Sequence, residues 1–167
     1  QGAYSSPDER SRRLIAALRR ARVSQAAFFI TTGNLDRPDG AGGEARIAAY
    51  VAAGHVIGNH SHSHLWATRT PVEAYVADLD RAAAWLSGRP GWRPWYRFPF
   101  LDEGRDTPER RDALRLALAR RGLSSGYVTV DSYDWFLDSL VSQAVRAGRR
   151  IDRTALRDLY VQMILET

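Results

Sequence analysis

The feature that most limits the folds open to this chain is the regular alternation of helical and strand-like segments. Helix-start signals and apolar spacing predict helices at about residues 7–22, 44–53, 70–87, 107–121, 136–147 and 152–166. Between them lie four short apolar runs, at Ala26–Thr31, His55–Gly58, Trp95–Phe98 and Tyr127–Val130. None of these runs alternates cleanly between polar and apolar residues, so we expect strands that are covered on both faces. The pattern therefore predicts an α/β fold with a parallel sheet.

The two ends of the chain are unusual for such a fold. A parallel α/β domain ordinarily has a strand before its first helix and another after its last helix. This sequence begins with a short tail and a helix, and it finishes inside a helical pattern. We therefore expect residues 1–167 to form a single domain that is a truncated portion of a larger one.

Composition narrows the classes of protein and partner. A length of 167 residues, with 44% hydrophobic and 26% charged residues, is ordinary for a globular domain. No cysteine is present, which excludes disulfides and thiolate metal sites, and no apolar run approaches the roughly 18 residues of a membrane span. All 24 basic residues are arginine and the net charge is +5. These arginines are scattered on predicted helix faces, so we expect no nucleic-acid partner.

The four histidines of the chain all lie in one short stretch, GHVIGNHSHSHLW. His60 and His64 are four residues apart, so on a helical turn both imidazoles would share one face and reach a single ion. Neutral imidazole is a favoured zinc ligand, and catalytic zinc sites usually take three protein ligands. We interpret His62 as a wall or surface residue and His55 as structural. The alternative is a set of exposed histidines in a polar loop.

Other polar side chains follow the later strands, where functional groups of parallel α/β folds gather. Arg97 stands at the end of the third apolar run, and a further polar segment follows the fourth. Four aspartates in loops after strands are candidates for a third metal ligand, and their spacing does not choose among them: Asp36, Asp102, Asp131 and Asp134. Taken singly, Arg97 could form a surface ion pair and Asp131 or Asp134 could cap a helix.

Three motifs in this order resemble the polysaccharide deacetylases, the NodB homology domains of carbohydrate esterase family 4. They are His60-Ser61-His62-Ser63-His64, Arg97-Phe98-Pro99-Phe100 and Asp131-Ser132-Tyr133-Asp134-Trp135. The resemblance implies a distorted (β/α) barrel and an Asp-His-His site for one divalent metal, usually zinc, with cobalt or nickel as alternatives. It also implies hydrolysis of N-acetyl or O-acetyl groups on a sugar polymer.

The resemblance assigns roles to individual residues. His60 and His64 would be the histidine metal ligands, and the backbone N–H of Phe100 would help to hold the oxyanion. Arg97 would orient a catalytic aspartate and pair with Asp134. The side chains expected to contact the sugar are Trp66, Tyr133 and Trp135. As for location, the resemblance favours a secreted, periplasmic or cell-envelope protein.

Two family features are missing from the chain. No Asp-Asp pair occurs anywhere, and no histidine follows His64, although the family uses these groups as general base, third metal ligand and general acid. We expect them in segments outside the two ends. Two other functions stay open: an amidase of the same superfamily that acts on a small or cyclic amide, and a non-catalytic module that binds carbohydrate or metal. The sequence does not indicate an oligomeric state.

Overall fold

The computed structural model describes residues 5–105 and 107–166. Its helices are α1 (Pro7–Arg20), α2 (Gly43–Ala52), α3 (Val72–Leu86), α4 (Pro108–Arg120), α5 (Asp134–Arg146) and α6 (Arg153–Glu166). Its strands are β1 (Ala27–Ile30), β2 (Val56–Asn59), β3 (Trp92–Tyr96) and β4 (Ser124–Ser125). Short 3-10 helices cover Thr32–Asn34, Pro38–Gly40, Ala67–Arg69 and Pro99–Leu101. All six predicted helices are confirmed, and each end lies within two residues of its predicted position.

The four strands form one parallel sheet in the order β1-β2-β3-β4. The predicted α/β class and parallel sheet are therefore confirmed. The register aligns Ile30 of β1 with Asn59 of β2, and Asn59 with Tyr96 of β3. Because the strands run in the same direction, the loops that follow them lie at one edge of the sheet. This edge carries His60, His62, His64 and the loop after β3.

The expectation of strands covered on both faces is confirmed for β2, which is buried along its whole length. It is wrong for the middle of β3, where Arg93 and Pro94 are exposed. The register explains this difference, since two residues of β2 after Ile57 correspond to four residues of β3 after Trp92. The extra residues bulge away from the sheet.

The predicted strand at Tyr127–Val130 is wrong, because β4 lies earlier and is only two residues long. Gly126 ends the pairing: its N–H donates to the carbonyl of Tyr96 (2.7 Å), but its own carbonyl accepts from Nε of Arg97 (2.9 Å). Gly126 also packs against the ring of Phe29, where an added Cβ would lie 2.5 Å from Cζ. The apolar residues that follow are therefore outside the sheet, and Tyr127 is 62% exposed.

The main hydrophobic core joins α3, α4 and the end of β3. Its buried members are Ala67, Tyr75, Leu79, Tyr96, Phe98, Leu114, Leu118 and Leu123. Inside it the hydroxyl of Tyr96 donates to that of Tyr75 at 2.8 Å, which satisfies both groups without water. Burial raises the pKa of both phenols, so both stay neutral. This core supports the loops at the carboxyl edge of the sheet.

The chain divides into two compact units. One is Ser11–Tyr127, which contains the sheet and the core, and the other comprises the described parts of Gln1–Arg10 and Val128–Thr167. In the second unit, the segment before α5 contacts α6 through the hydroxyls of Ser132 and Tyr160 (3.2 Å). The expectation of a single domain over 1–167 stays a prediction. No helix in the described ranges is long and apolar enough to span a membrane.

Candidate functional site

The imidazoles of His60 and His64 meet just beyond the end of β2. Their Nε2 atoms are 3.2 Å apart, and the rings approach edge to face with centroids separated by 4.9 Å. The expected cause, a helical turn, is wrong because this segment is an irregular loop. Ser61 and His64 instead adopt left-handed backbone, with φ of +66° and +57°. These two residues turn the chain back on itself, which brings the imidazoles together.

Local hydrogen bonds hold this unusual backbone. The side-chain oxygen of Asn59 accepts from the N–H of Ser61 (2.8 Å), and the hydroxyl of Ser61 accepts from the N–H of His64 (2.9 Å). Asn59 and Ser61 are almost completely buried, and the Asn59 amide also donates to the carbonyl of Leu79. Because these bonds are shielded from water, the loop is fixed before any ligand arrives.

A carboxylate on α3 completes the loop. Asp78 accepts from the N–H of His62 (3.0 Å) and from the N–H of Ser63 (3.0 and 3.1 Å). The ring of His62 turns away from the pair and its Nδ1 contacts the hydroxyl of Thr32 (2.9 Å). Asp78 is not among the site residues predicted from the sequence. The available signal was its position three residues after Tyr75, on the buried side of an amphipathic helix.

The hydrogen bond of His60 fixes the tautomer of its ring. Nδ1 lies 2.8 Å from the carbonyl of Arg97. Because a carbonyl only accepts, Nδ1 must carry the hydrogen, and Nε2 of the neutral ring then presents its lone pair toward His64. Burial lowers the pKa of His60 to about 4, although the bond to the Arg97 carbonyl opposes this shift. Burial also lowers the pKa of His64. Both rings are therefore neutral at pH 7.

The pair fits two of the ligand positions of a divalent metal ion. Two neutral imidazole nitrogens converge on one point, and one ring is oriented by a backbone carbonyl, as is typical of zinc-binding histidines. No group of three His, Asp or Glu side chains that could hold an ion occurs in residues 5–105 and 107–166. The structure thus provides a histidine pair and leaves the third ligand unassigned.

Asp102 was a candidate for that ligand, but its carboxylate is occupied by hydrogen bonds to other groups of the protein. It has no exposed surface. It accepts from the N–H and hydroxyl of Thr68 (2.9 and 2.8 Å) and from the N–H of Gly104 (3.1 Å). Asp102 therefore has a structural role, because its hydrogen bonds connect the segment at Thr68 to the loop at Gly104. Asp36 lies exposed in the loop after β1.

The structure brings Phe100 and Trp66 together beside the histidines. Phe100 contacts the ring of His64 edge to face (4.5 Å between centroids) and stacks on Trp66 (3.8 Å, 5° between planes). Phe100 and the next residue, Leu101, have φ of +58° and +52°, a conformation that is uncommon for large side chains. The strained backbone directs a 42% exposed aromatic ring toward the site.

Arg97 lies between β3 and this loop. Its Nε donates to the carbonyl of Gly126, and its guanidinium stacks over the ring of Phe29 at 4.1 Å. Burial lowers the pKa of Arg97, yet an arginine side chain stays charged at neutral pH. The expected ion pair between Arg97 and Asp134 joins residues of different units and stays a prediction.

The third motif lies in the second compact unit, around the start of α5. Tyr133 has φ of +48° and is exposed, and the carboxylate of Asp134 accepts from the N–H of Trp135 (2.9 Å). Asp131 accepts from the N–H of Tyr133 (3.3 Å). Trp135 is 66% exposed and contacts Phe136. Roles for these residues in the site stay predictions.

The remaining histidine is structural, as expected. His55 is buried at the start of β2, where its Nδ1 accepts from the N–H of Ala26 (3.3 Å) and its ring packs against Phe28. Its place at the opposite edge of the sheet from His60 separates it from the histidine pair.

Comparison with known proteins agrees with this architecture. A family 4 carbohydrate esterase from Streptomyces lividans, solved in complex with acetate, superposes with a TM-score of 0.60 at 23% identity over 97% of this chain and 83% of that one. A polysaccharide deacetylase from Bacillus cereus gives 0.66 at 20% identity, with 93% and 66% covered. A peptidoglycan deacetylase from Bacillus subtilis gives 0.56 at 18%, with 93% and 75% covered. At these identities the similarity shows the fold, a (β/α) barrel of the NodB type.

Sequence comparison shows the family. No curated protein matches the chain. The family model for polysaccharide deacetylases matches residues 4–119, which is more than half of the sequence and includes the histidine pair and Arg97. The chain therefore belongs to the polysaccharide deacetylases, which are hydrolases that release acetyl groups from sugars.

Proposed function

We propose that this protein is a metal-dependent hydrolase that removes acetyl groups from an N-acetylated or O-acetylated sugar polymer. The observation that carries the proposal is the pair of neutral imidazoles with Nε2 atoms 3.2 Å apart. Such a pair, half-buried and with the His60 ring oriented by a backbone carbonyl, has the donor chemistry that zinc requires. Family membership supports the deacetylase reaction.

The metal would be held by Nε2 of His60 and Nε2 of His64, together with a ligand outside the described groups. Bound there, a divalent ion supplies Lewis-acid polarisation of the acetyl carbonyl. Imidazole nitrogen suits zinc, cobalt and nickel alike, so the donor set favours this group of metals over magnesium or calcium. We propose zinc as the resident ion.

The residues of the chain would divide the remaining tasks. The carbonyl of Arg97 keeps the hydrogen of His60 on Nδ1, so that Nε2 stays available as a donor of its lone pair. The backbone N–H of Phe100, on the aromatic side of His64, is the proposed donor to the oxyanion. The charge of Arg97 would orient the catalytic carboxylate, with Asp134 as its proposed partner.

The proposed sugar contacts are aromatic. Trp66 lies in the same unit as the histidine pair, and its ring is stacked on Phe100. Tyr133 and Trp135 are exposed at the start of α5 and would act as stacking walls for sugar rings. A polymer substrate at the cell surface would place the protein in the envelope, the periplasm or outside the cell, which cell fractionation tests.

Metal content tests the proposal directly. The protein is purified without chelator or added metal, and zinc, cobalt and nickel are counted per chain for the wild type, His60→Ala and His62→Ala. We expect about one ion per chain in the wild type and in His62→Ala, and none in His60→Ala. His62 is the matched control because it belongs to the same loop but contacts Thr32. Equal metal content in all three proteins would refute the histidine site.

Acetate release then separates the proposed hydrolase from the two other functions. The metal-loaded protein is incubated with an N-acetylglucosamine oligomer, an O-acetylated polysaccharide and a panel of small cyclic amides. Acetate from either sugar polymer supports the proposal, whereas turnover of the cyclic amides alone would indicate an amidase. Binding of the oligomer without release of acetate would indicate a carbohydrate-binding module.

A further inference from the structure

A second pocket lies on the far side of the aromatic pair from the histidines. It is open, encloses about 300 Å³ and is lined by Trp66, Thr68, Arg69, Arg105 and Thr107. Contacts connect it to the histidine pair, since His64 touches Phe100 and Phe100 stacks on Trp66. A polymer that reaches His60 and His64 would therefore pass close to this pocket.

Two guanidinium groups surround the indole of the pocket. The Cζ atom of Arg69 lies 4.9 Å from the ring centroid of Trp66, and that of Arg105 lies 5.5 Å from it. Arg69 forms no ion pair within the described part of the chain, and both arginines are exposed. The Nε atom of Arg105 is 3.8 Å from Asp102. That distance fits an ion pair but exceeds a hydrogen bond, so within the described residues the guanidinium donates no hydrogen bond.

The buried carboxylate of Asp102 holds the two arginines in place. Through Thr68 it fixes the 3-10 helix Ala67–Arg69, and through Gly104 it fixes the loop that leads to Arg105. On the other side of that 3-10 helix, Arg110 donates to the carbonyls of Ala67 (2.9 Å) and Thr70. The two cationic side chains therefore extend from anchored backbone, which reduces the entropy lost when they bind a ligand.

We propose that this pocket binds a carboxylate on a sugar beside the acetylated one, so that the preferred substrate is an acidic acetylated glycan. This assignment rests on the proposed function, which supplies the deacetylation reaction. The pocket supplies the evidence that the substrate is acidic. The planar fork of a guanidinium matches a carboxylate with two parallel hydrogen bonds. The indole between the two cations offers an apolar surface for the ring that carries the carboxylate.

Binding of a matched pair of oligosaccharides tests the carboxylate. The acidic ligand is a tetramer that alternates N-acetylglucosamine with N-acetylmuramic acid, and the control ligand is the same tetramer with its carboxylates converted to amides. Affinity is measured by calorimetry for the wild type, Arg69→Gln, Arg105→Gln and Arg93→Gln. Arg93 is the matched control because it is exposed at the bulge of β3 and donates to the adjacent Trp92 carbonyl.

We expect the wild type to bind the acid about tenfold more tightly than the amide, as hydrogen bonds to a charged group would give. This preference should disappear in Arg69→Gln and weaken in Arg105→Gln, and it should persist in Arg93→Gln. Equal affinity for acid and amide, a preference that survives in both pocket variants, or no binding of the acid would overturn the carboxylate site.

The two proposals fail in different ways. If the metal-loaded protein releases no acetate from either tetramer or from the neutral oligomer, the hydrolase proposal fails, and the affinity ratio still decides the carboxylate site. If acetate is released equally well from acid and amide tetramers and both bind equally, the hydrolase stands and the acidic-substrate assignment is overturned.

Discussion

Asp102 shows how much a single residue decides near the site. A buried carboxylate is costly unless its oxygens are satisfied, and three donors from Thr68 and Gly104 satisfy this one. The same residue is the common anchor of the 3-10 helix that carries Arg69 and of the loop that carries Arg105. If Asp102 were a metal ligand, its removal would lower the metal content. If its role is structural, removal should lower the stability of the fold.

Replacing Asp102 with alanine should destabilise the fold without removing the metal. Three buried or half-buried donors lose their acceptor, so we expect the free energy of unfolding to fall by about 3 kcal/mol, measured by urea denaturation. The control is Asp112→Ala on α4, where an exposed ion pair to Arg111 is lost and the expected change is below about 1 kcal/mol. Metal lost from a folded Asp102→Ala protein would restore Asp102 as a ligand candidate.

At the scale of elements, the histidine site depends on contact between the loop after β2 and helix α3. Asp78 of α3 accepts the N–H groups of His62 and Ser63, and Leu79 of the same helix accepts from the Asn59 amide. The helix therefore acts as a template for a loop that carries two left-handed residues. Neither element alone would hold the two imidazoles in contact.

Truncating Asp78 should loosen this loop selectively. In Asp78→Ala two backbone donors lose their charged acceptor, so we expect a loss of about 1–3 kcal/mol in stability and weaker zinc binding. Calorimetric zinc titration and urea unfolding measure the two effects. Asp80→Ala is the control on the same helix, because Asp80 pairs with Arg121 at the surface and should leave zinc affinity unchanged. Equal zinc affinity in both variants would contradict the template role.

At the scale of the whole molecule, the half-buried histidine pair couples stability to pH. The unfolded chain binds a proton at His60 near its ordinary pKa of 6.5, whereas the folded chain does so only near 4. Between these values the unfolded state holds more protons, so the free energy of unfolding falls as the pH is lowered. The lowered pKa of His64 acts in the same direction.

The metal-free protein should therefore lose stability on mild acidification. Between pH 7 and pH 5 we expect a decrease of about 2 kcal/mol from His60, measured by urea unfolding in the presence of chelator. His60→Gln should show a much weaker dependence on pH over the same range, and His62→Gln should behave like the wild type. A wild type as stable at pH 5 as at pH 7 would contradict the buried, neutral state of His60.

Local patterns in the amino-acid sequence are enough to predict most elements of this protein and to identify its histidine pair. Periodicity and helix-start residues act over a few neighbours, which is why all six helices and the first two strands were predicted within two residues of their observed bounds. The third strand begins three residues earlier than predicted, at Trp92 instead of Trp95. The histidine pair was likewise identified from a local feature, the four-residue spacing between His60 and His64. The third motif was found in the same way, although its place in the site stays a prediction.

How these parts act depends on contacts between residues that are far apart in the sequence. The fourth strand ends where Arg97 captures the carbonyl of Gly126, 29 residues further along the chain. The histidines meet through left-handed backbone held by Asp78, which lies 16 residues beyond His62. Asp102 has a structural role because Thr68, 34 residues away in the sequence, donates hydrogen bonds to its carboxylate. Local patterns cannot specify hydrogen bonds over such separations, since folding alone brings these groups within reach.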